Sequence, residues 1–323
     1  MKRFRLVVSL ITDENDYQRQ QAAVAQEAAT RLGVDLQTLF ARNDAIHQSQ
    51  QLLDIIQARN ANVNGILVEP ATRTAFPKVA RAAVESGIAW VVLNCEADYL
   101  KELRSSSTVP AFAVSADNHE VGRLQGRQLA ALLPRGGSVL YIQGPSHSTV
   151  TEQRSAGMLE TKPGNVSVRV LKSANWTEDA GYRAVSSWLR LSTAHQENID
   201  VVQAQNDFLA LGARRAIQEQ TAGLEQDRKS DLPFLGVDGL AKTGQAWVRQ
   251  GVLAATIIVP PITSHALDAL VAALQGGVHQ PERTLVGPES FPAPDTLIAR
   301  PPVQRIPGPI EKAVDKPPAG GGT

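Results

Sequence analysis

The sequence predicts an α/β fold of two lobes, each a doubly wound, largely parallel sheet. Short apolar runs alternate with helical segments almost throughout the 323 residues. Most runs are continuously apolar, as in strands covered on both faces. The rhythm breaks at the polar, Ser-rich stretch CEADYLKELRSSSTVP (95–110), which reads as a connection, and then restarts. The length agrees, since single cores stop growing near ~250–300 residues.

The first strand is FRLVVSLI (4–11). Its apolar run, Leu6 to Ile11, is too short for the core of an export signal and has no small-residue cleavage site, so a strand is expected and no signal peptide. The acidic trio Asp13, Glu14 and Asp16 that follows reads as a solvated face. In 17–32, Ala22, Ala25, Ala29 and Leu32 recur at helical intervals of three and four. Further strands are expected at VDLQTLF (34–40), NGILVE (64–69), IAWVVLN (88–94) and AFAVS (111–115). Beyond them come SVLYIQ (138–143), VSVRVL (166–171), IDVVQAQ (199–205), PFLGVD (233–238) and LAATIIV (253–259). Repeated βα units imply right-handed crossovers. The final stretch, 301–323, holds six Pro and four Gly, too many for a packed element, and is expected to be disordered.

Composition narrows the function. Lys+Arg and Asp+Glu both number 32, so the chain lacks the basic excess of a nucleic-acid binder. The single cysteine, Cys95, rules out an internal disulfide and a cysteine-cluster metal site. The six His are scattered without metal-ligand spacing. No run approaches the ~20 apolar residues of a membrane span. The glycine-rich phosphate loops and the G-x-S-x-G elbow are absent. No cofactor, no metal and no catalysis are therefore expected, and a small-molecule ligand is.

In open α/β sheets ligands bind beyond the carboxyl ends of the strands. The polar residues there are Glu69, Asn94, the segments GPSHSTVTEQR and SANWTEDAG, Asn206-Asp207 and Asp238. In VVQAQNDFLALGARRAI (201–217), Asp207 is placed to cap the following helix. Asn206, just before it, offers a donor and an acceptor. Gly212 costs that helix about 1 kcal/mol relative to Ala, tolerable if the helix packs closely on the sheet.

Several segments then match a family in order: NGILVEPA, GIAWVVLN, VSADNHEVGRLQGRQLA, QRSAGM, ANWTEDAGYRAVSSWL, AQNDFLALGARRA, FLGVDG and LAATI. Over roughly residues 4–300 the chain resembles the type I periplasmic sugar-binding proteins of the ribose-binding kind, which share a fold with LacI-type ligand domains. The resemblance implies two hinge-linked Rossmann-like lobes with a ligand cleft between them. Lobe 1 would be 1–113 plus 260–288, and lobe 2 would be 114–259 plus 289–300. It implies that Tyr17, in the loop after the first strand, stacks on the ligand. Arg154 would reach ligand oxygens, Trp176 would wall a sugar ring, and Asn206 and Asp238 would take hydroxyls. Asn94-Cys95 stands where ribose binders carry an acid–arginine pair, and Val259 where they carry glutamine, so ribose is expected to bind poorly. The implied role is the binding component of an ABC-type uptake system, with a permease as partner and a periplasmic location. The alternative is an intracellular sugar-sensing lobe pair, LacI-like without a DNA-binding domain, since no helix-turn-helix fits before residue 4.

Overall fold

The strands form where the apolar runs predict them. In the computed structural model, which describes residues 3–58, 62–191, 198–221, 232–276 and 279–297, they sort into two large sheets. The first contains β1 (Arg5–Leu10), β2 (Asp35–Phe40), β3 (Gly65–Val68), β4 (Ala89–Leu93), β5 (Ala111–Ala116) and β11 (Arg283–Val286). Their order is β11-β5-β4-β3-β1-β2, and every pairing is parallel. One face is covered by α1 (Asp16–Leu32) and α10 (Thr263–Leu274), which pack on Leu6, Val8, Leu10, Val91 and Leu93. The other is covered by α2 (Ala45–Gln57), α3 (Pro77–Glu85) and α4 (Leu100–Ser106), packed on Val7, Ile66, Val68, Trp90 and Val92. Successive strand residues thus bury opposite faces, which explains why β1, β3 and β4 are apolar without alternation.

The second sheet contains β6 (Gly137–Gln143), β7 (Val166–Lys172), β8 (Val201–Ala204) and β9 (Phe234–Leu235), in the parallel order β7-β6-β8-β9. Its helices are α5 (Asn118–Leu132), α6 (Thr149–Thr161), α7 (Glu178–Leu189), α8 (Asp207–Thr221) and α9 (Gly244–Arg249). β10 (Thr256–Ile258) runs beside β9 through isolated parallel bridges, Leu235 to Ala255 and Asp238 to Ile258. β12 (Glu289–Phe291) then pairs antiparallel with β10. The chain therefore passes between the sheets after β5, after β10 and after β11.

Four features depart from the sequence reading. The boundary expected at 113/114 falls inside β5, which stays in the first sheet to Ala116. The stretch 95–110 holds a helix, α4, rather than only a connection, with Leu100 and Leu103 buried on the sheet. Strands β11 and β12 carry no apolar signal in the sequence, being short edge pieces separated by Gly287-Pro288, with β11 largely exposed. Finally, β10 and β12 make an antiparallel pair in an otherwise parallel design. The tail 301–323 lies outside the described residues.

Helices α5 and α6 touch backbone to backbone. A Cβ at Gly122 would stand 2.2 Å from the Arg154 carbonyl oxygen, and one at Gly157 would stand 2.1 Å from that of His119. Only residues without a side chain permit this crossing, and it fixes where α6 presents Arg154. Gly122→Ala should push the helices apart and cost about 1–3 kcal/mol, the usual price of overpacking. Urea unfolding checks this, and an unchanged midpoint would show that α6 can shift freely.

Candidate functional site

A cavity of about 260 Å³ lies between the carboxyl ends of the two sheets. Tyr17, Asn94, Arg154, Trp176, Asn206 and Asp238 all line it.

On the first-sheet side, Glu69 leaves the end of β3 and is buried. Its carboxylate accepts from Gln18 Nε2 at 2.9 Å and from Asn94 Nδ2 at 3.2 Å, one on each oxygen. Burial raises its pKa, against the pull of these two amides. Gln18 is fixed in turn: its Oε1 accepts from Ile11 N, and its own N–H donates to Asn15, the N-cap of α1. Asn94 adopts φ 49°, a left-handed conformation that Asn tolerates, and its Oδ1 accepts from Ala116 N at 3.1 Å. It braces Glu69 against β5 as much as it faces the cavity.

Tyr17 lies in the first turn of α1, not in the preceding loop as expected, because the helix starts at Asp16. Its ring packs on the core of the first sheet. Its hydroxyl is buried without a hydrogen-bond partner. Burial first, then the charges of Glu69 and Asp238, raise its pKa.

On the second-sheet side, Arg154 is buried on α6. Its Nε donates to Asn118 Oδ1 at 3.1 Å and its Nη1 to the Gln205 carbonyl oxygen. Nη1 lies 3.9 Å from Asp238 Oδ1, and the guanidinium carbon lies 5.8 Å from the centre of the Trp176 ring. The Gln205 side chain locks this wall: it accepts from Gly144 N and donates to Tyr141 Oη, the Thr151 carbonyl and Ser155 Oγ. Trp176 is half-buried, and a Cβ at Gly144 would collide with its ring at 2.1 Å, so the glycine makes room for the indole. Thr177 caps α7, accepting from Ala180 N, so Trp176 both precedes a cap and forms a cavity wall.

Asp238 sits at φ 105°, an uncommon conformation for a residue with a side chain, held by the bonds from Asp238 N to Ile257 O and from Val259 N to Asp238 O. Its carboxyl is pushed up to about 7, chiefly by burial and further by Glu69, with Arg154 and the Asn206 amide pulling the other way.

The pair at the β8–α8 junction exchanges the expected roles. Asn206, not Asp207, caps the helix: its Oδ1 accepts from Leu209 N at 2.8 Å, while its Nδ2 donates to the Trp176 carbonyl at 2.9 Å. The cavity therefore sees only part of the amide. Asp207 opens the helix and turns inward, accepting from Thr256 Oγ1 at 2.6 Å and Gly239 N at 2.9 Å. Burial and Asp238 raise its pKa well above the carboxylate range. Gly212 packs against α7 rather than the sheet, within 2.0 Å of the Glu178 carbonyl for an added Cβ. Asn206→Ala should accordingly lose a cap as well as a cavity group, costing about 0.5–2 kcal/mol of stability. Thermal unfolding indistinguishable from the unaltered protein would refute the capping role.

Val259 is buried in the first-sheet core, among Leu6, Val8 and Leu267, and does not line the cavity, whereas Cys95 does. Glu69 and Asn118 stood in quoted strand-end and helix-opening segments; Gln18 carried no signal, because its role depends on a contact 51 residues away. Across the mouth, Arg73 pairs with Glu152 and Gln153 Nε2 donates to Glu96 Oε1 at 2.7 Å. Among the described residues, no cluster of His, Cys, Asp or Glu is placed to hold a metal, and no helix is long and apolar enough to cross a membrane.

Residues 6–277 match the family model of the periplasmic binding protein domain. The chain belongs to that family. Among its curated relatives, a ribose import binding protein of Escherichia coli is 28% identical over 73% of each chain. A galactofuranose-binding protein of the same species is 24% identical over 89% of this chain and 87% of its own. In three dimensions, a solved galactofuranose binding protein superposes with a TM-score of 0.78 at 23% identity, covering 91% of this chain and 96% of its own. The arabinose-binding component of a Shewanella ABC transporter gives 0.77 at 22% identity, covering 89% and 91%. This periplasmic-binding fold, two parallel α/β lobes flanking a cleft, is the one the sequence predicts.

Proposed function

We propose that this periplasmic binding protein holds a small polyhydroxylated ligand, a sugar or sugar derivative, between its lobes, as the substrate-binding component of an ABC-type uptake system. The convergence of Trp176, Arg154, Asp238, Asn206, Asn94 and Tyr17 on one cavity carries the reading. An aromatic face suits the C–H side of a sugar ring, and planar carboxylate, amide and guanidinium groups suit its hydroxyl edge. The volume, about 260 Å³, lies below the usual drug-sized range and suits a single ring. The named relatives bind ribose and galactofuranose, and a permease partner follows from the same likeness. The role is binding rather than catalysis: Arg154, Glu69 and Asn94 are committed to protein hydrogen bonds that fix their positions. Ribose is a poor candidate, because Cys95 replaces a planar donor at the cavity wall.

A thermal-shift screen over sugars, polyols and their derivatives tests the reading. At least one should raise the melting temperature by several degrees, and a panel without effect would overturn it. The lobes should also close on ligand by hinging at 116–118, 258–263 and 286–289. Small-angle scattering should then show a smaller radius of gyration with saturating ligand; an identical profile would rule out hinge closure.

A further inference from the structure

The charges around the cleft do not balance. Two carboxyls, Glu69 at 6% exposure and Asp238 with a side chain at 13%, line the cavity with one buried cation, Arg154 at 5%. Arg154 belongs to the second lobe, where Asn118, Gln205 and Asp238 hold it. Arg73 reaches the cavity but pairs with Glu152 at its mouth. Glu69 has only neutral amides, Gln18 and Asn94, and among the described residues it makes no ion pair.

A carboxylate offers about four acceptor positions, so two amides leave about two open. The buried, unpartnered Tyr17 hydroxyl adds another acceptor on the same side. This wall asks for a compact group that donates several hydrogen bonds and carries positive charge, which describes an ammonium: three donors and no acceptor. Resting on the polyol reading above, we propose that the ligand is an amine-bearing polyol, an amino sugar or amino-cyclitol. Its ammonium meets Glu69 and Tyr17, while its hydroxyls meet Asp238, Arg154 and Asn118. A neutral hydroxyl can also donate to Glu69, but it leaves a buried carboxylate without a counter-charge, an arrangement proteins avoid. Burial pushes the Glu69 pKa up, and a cation seated at this wall would pull it back down.

Calorimetry on matched pairs tests this at pH 7: glucosamine with glucose, galactosamine with galactose, and an amino-inositol with myo-inositol. In at least one pair the amine should bind about ten- to hundredfold tighter, the range of a charge-assisted hydrogen bond. Glu69→Gln should bring that ratio near one. Neutral members binding as tightly as their amines would overturn the proposal and leave the polyol site standing. An amine preference that survives Glu69→Gln would overturn the role of Glu69. If no member of any pair binds at millimolar concentration, the polyol reading fails and this one with it. Should Glu69→Gln not fold, the matched pairs on the unaltered protein decide.

Discussion

Arg154→Met should abolish ligand binding and weaken the fold at the same time. The guanidinium is the only buried cation among the described residues, and it joins α5 through Asn118, the end of β8 through Gln205 and the β9–β10 connection through Asp238. Methionine fills similar volume but donates nothing. Asp238 would then be a buried carboxyl without its counter-charge, and the Gln205 carbonyl would lose a charged donor. Removing one partner of a buried pair costs about 3–5 kcal/mol. Affinity should fall by at least about a hundredfold, since in the proposed site two or more charge-assisted bonds to ligand would go with the guanidinium. Urea unfolding and calorimetry with the ligand found by screening read the two effects separately. Binding within tenfold of the unaltered protein would remove Arg154 from the site, whatever the stability. Arg154→Lys should recover part of the stability and little of the affinity, because a single ammonium cannot reach Asn118, Gln205 and a ligand together.

The sequence made the architecture legible because parallel sheets impose a strong pattern. Val7 and Val8 face different cores, so both must be apolar, and the run announces itself. Strand β11 gives no such signal: at the sheet edge, Arg283, Thr284 and Leu285 are exposed and any of many residues would serve. Site residues divide in the same way. Trp176 and Asp238 stand at a helix start and a strand end, where topology alone directs them to the cleft, whereas Arg154, in the second turn of α6, is brought there by the close α5–α6 crossing. Asn206 and Asp207 occupy such a junction too, but one residue of register decides which side chain caps and which turns in. The helix starts at Asp207, so the cap falls on Asn206, and the carboxylate meets Thr256 from a strand 49 positions later. Gln18 and Glu69 show the limit. Their bond joins the first turn of α1 to the end of β3, and nothing local to either segment marks it.

Asp238→Asn should weaken binding yet leave the ligand-free protein less sensitive to pH. Asp238 titrates near 7 in the folded chain against 3.8 without burial. An acid whose pKa is raised on folding binds its proton more tightly in the folded state. Its contribution is therefore fully favourable below pH about 4, is lost as pH rises towards 7, and stays lost above that. At about 1.4 kcal/mol for each pH step, the loss between pH 4 and 8 is on the order of 4 kcal/mol. Asparagine has no charge to desolvate, so the variant should lack this part of the slope. Glu69 and Asp207, also raised by burial, keep some slope in both proteins. The variant gives up the contact with Arg154 at 3.9 Å, which offsets part of the gain at high pH. It keeps the shape of the aspartate, and asparagine tolerates positive φ at least as well. Urea unfolding at pH 5, 6, 7 and 8 should show a shallower decline for Asp238→Asn, with the two proteins closest in stability at pH 5. Binding should fall about ten- to hundredfold, because one carboxylate oxygen, proposed to accept from ligand hydroxyls, becomes a donor. Parallel stability curves for the two proteins would mean that Asp238 is not held neutral by its surroundings, and that the strained turn carrying it is solvated in the free protein.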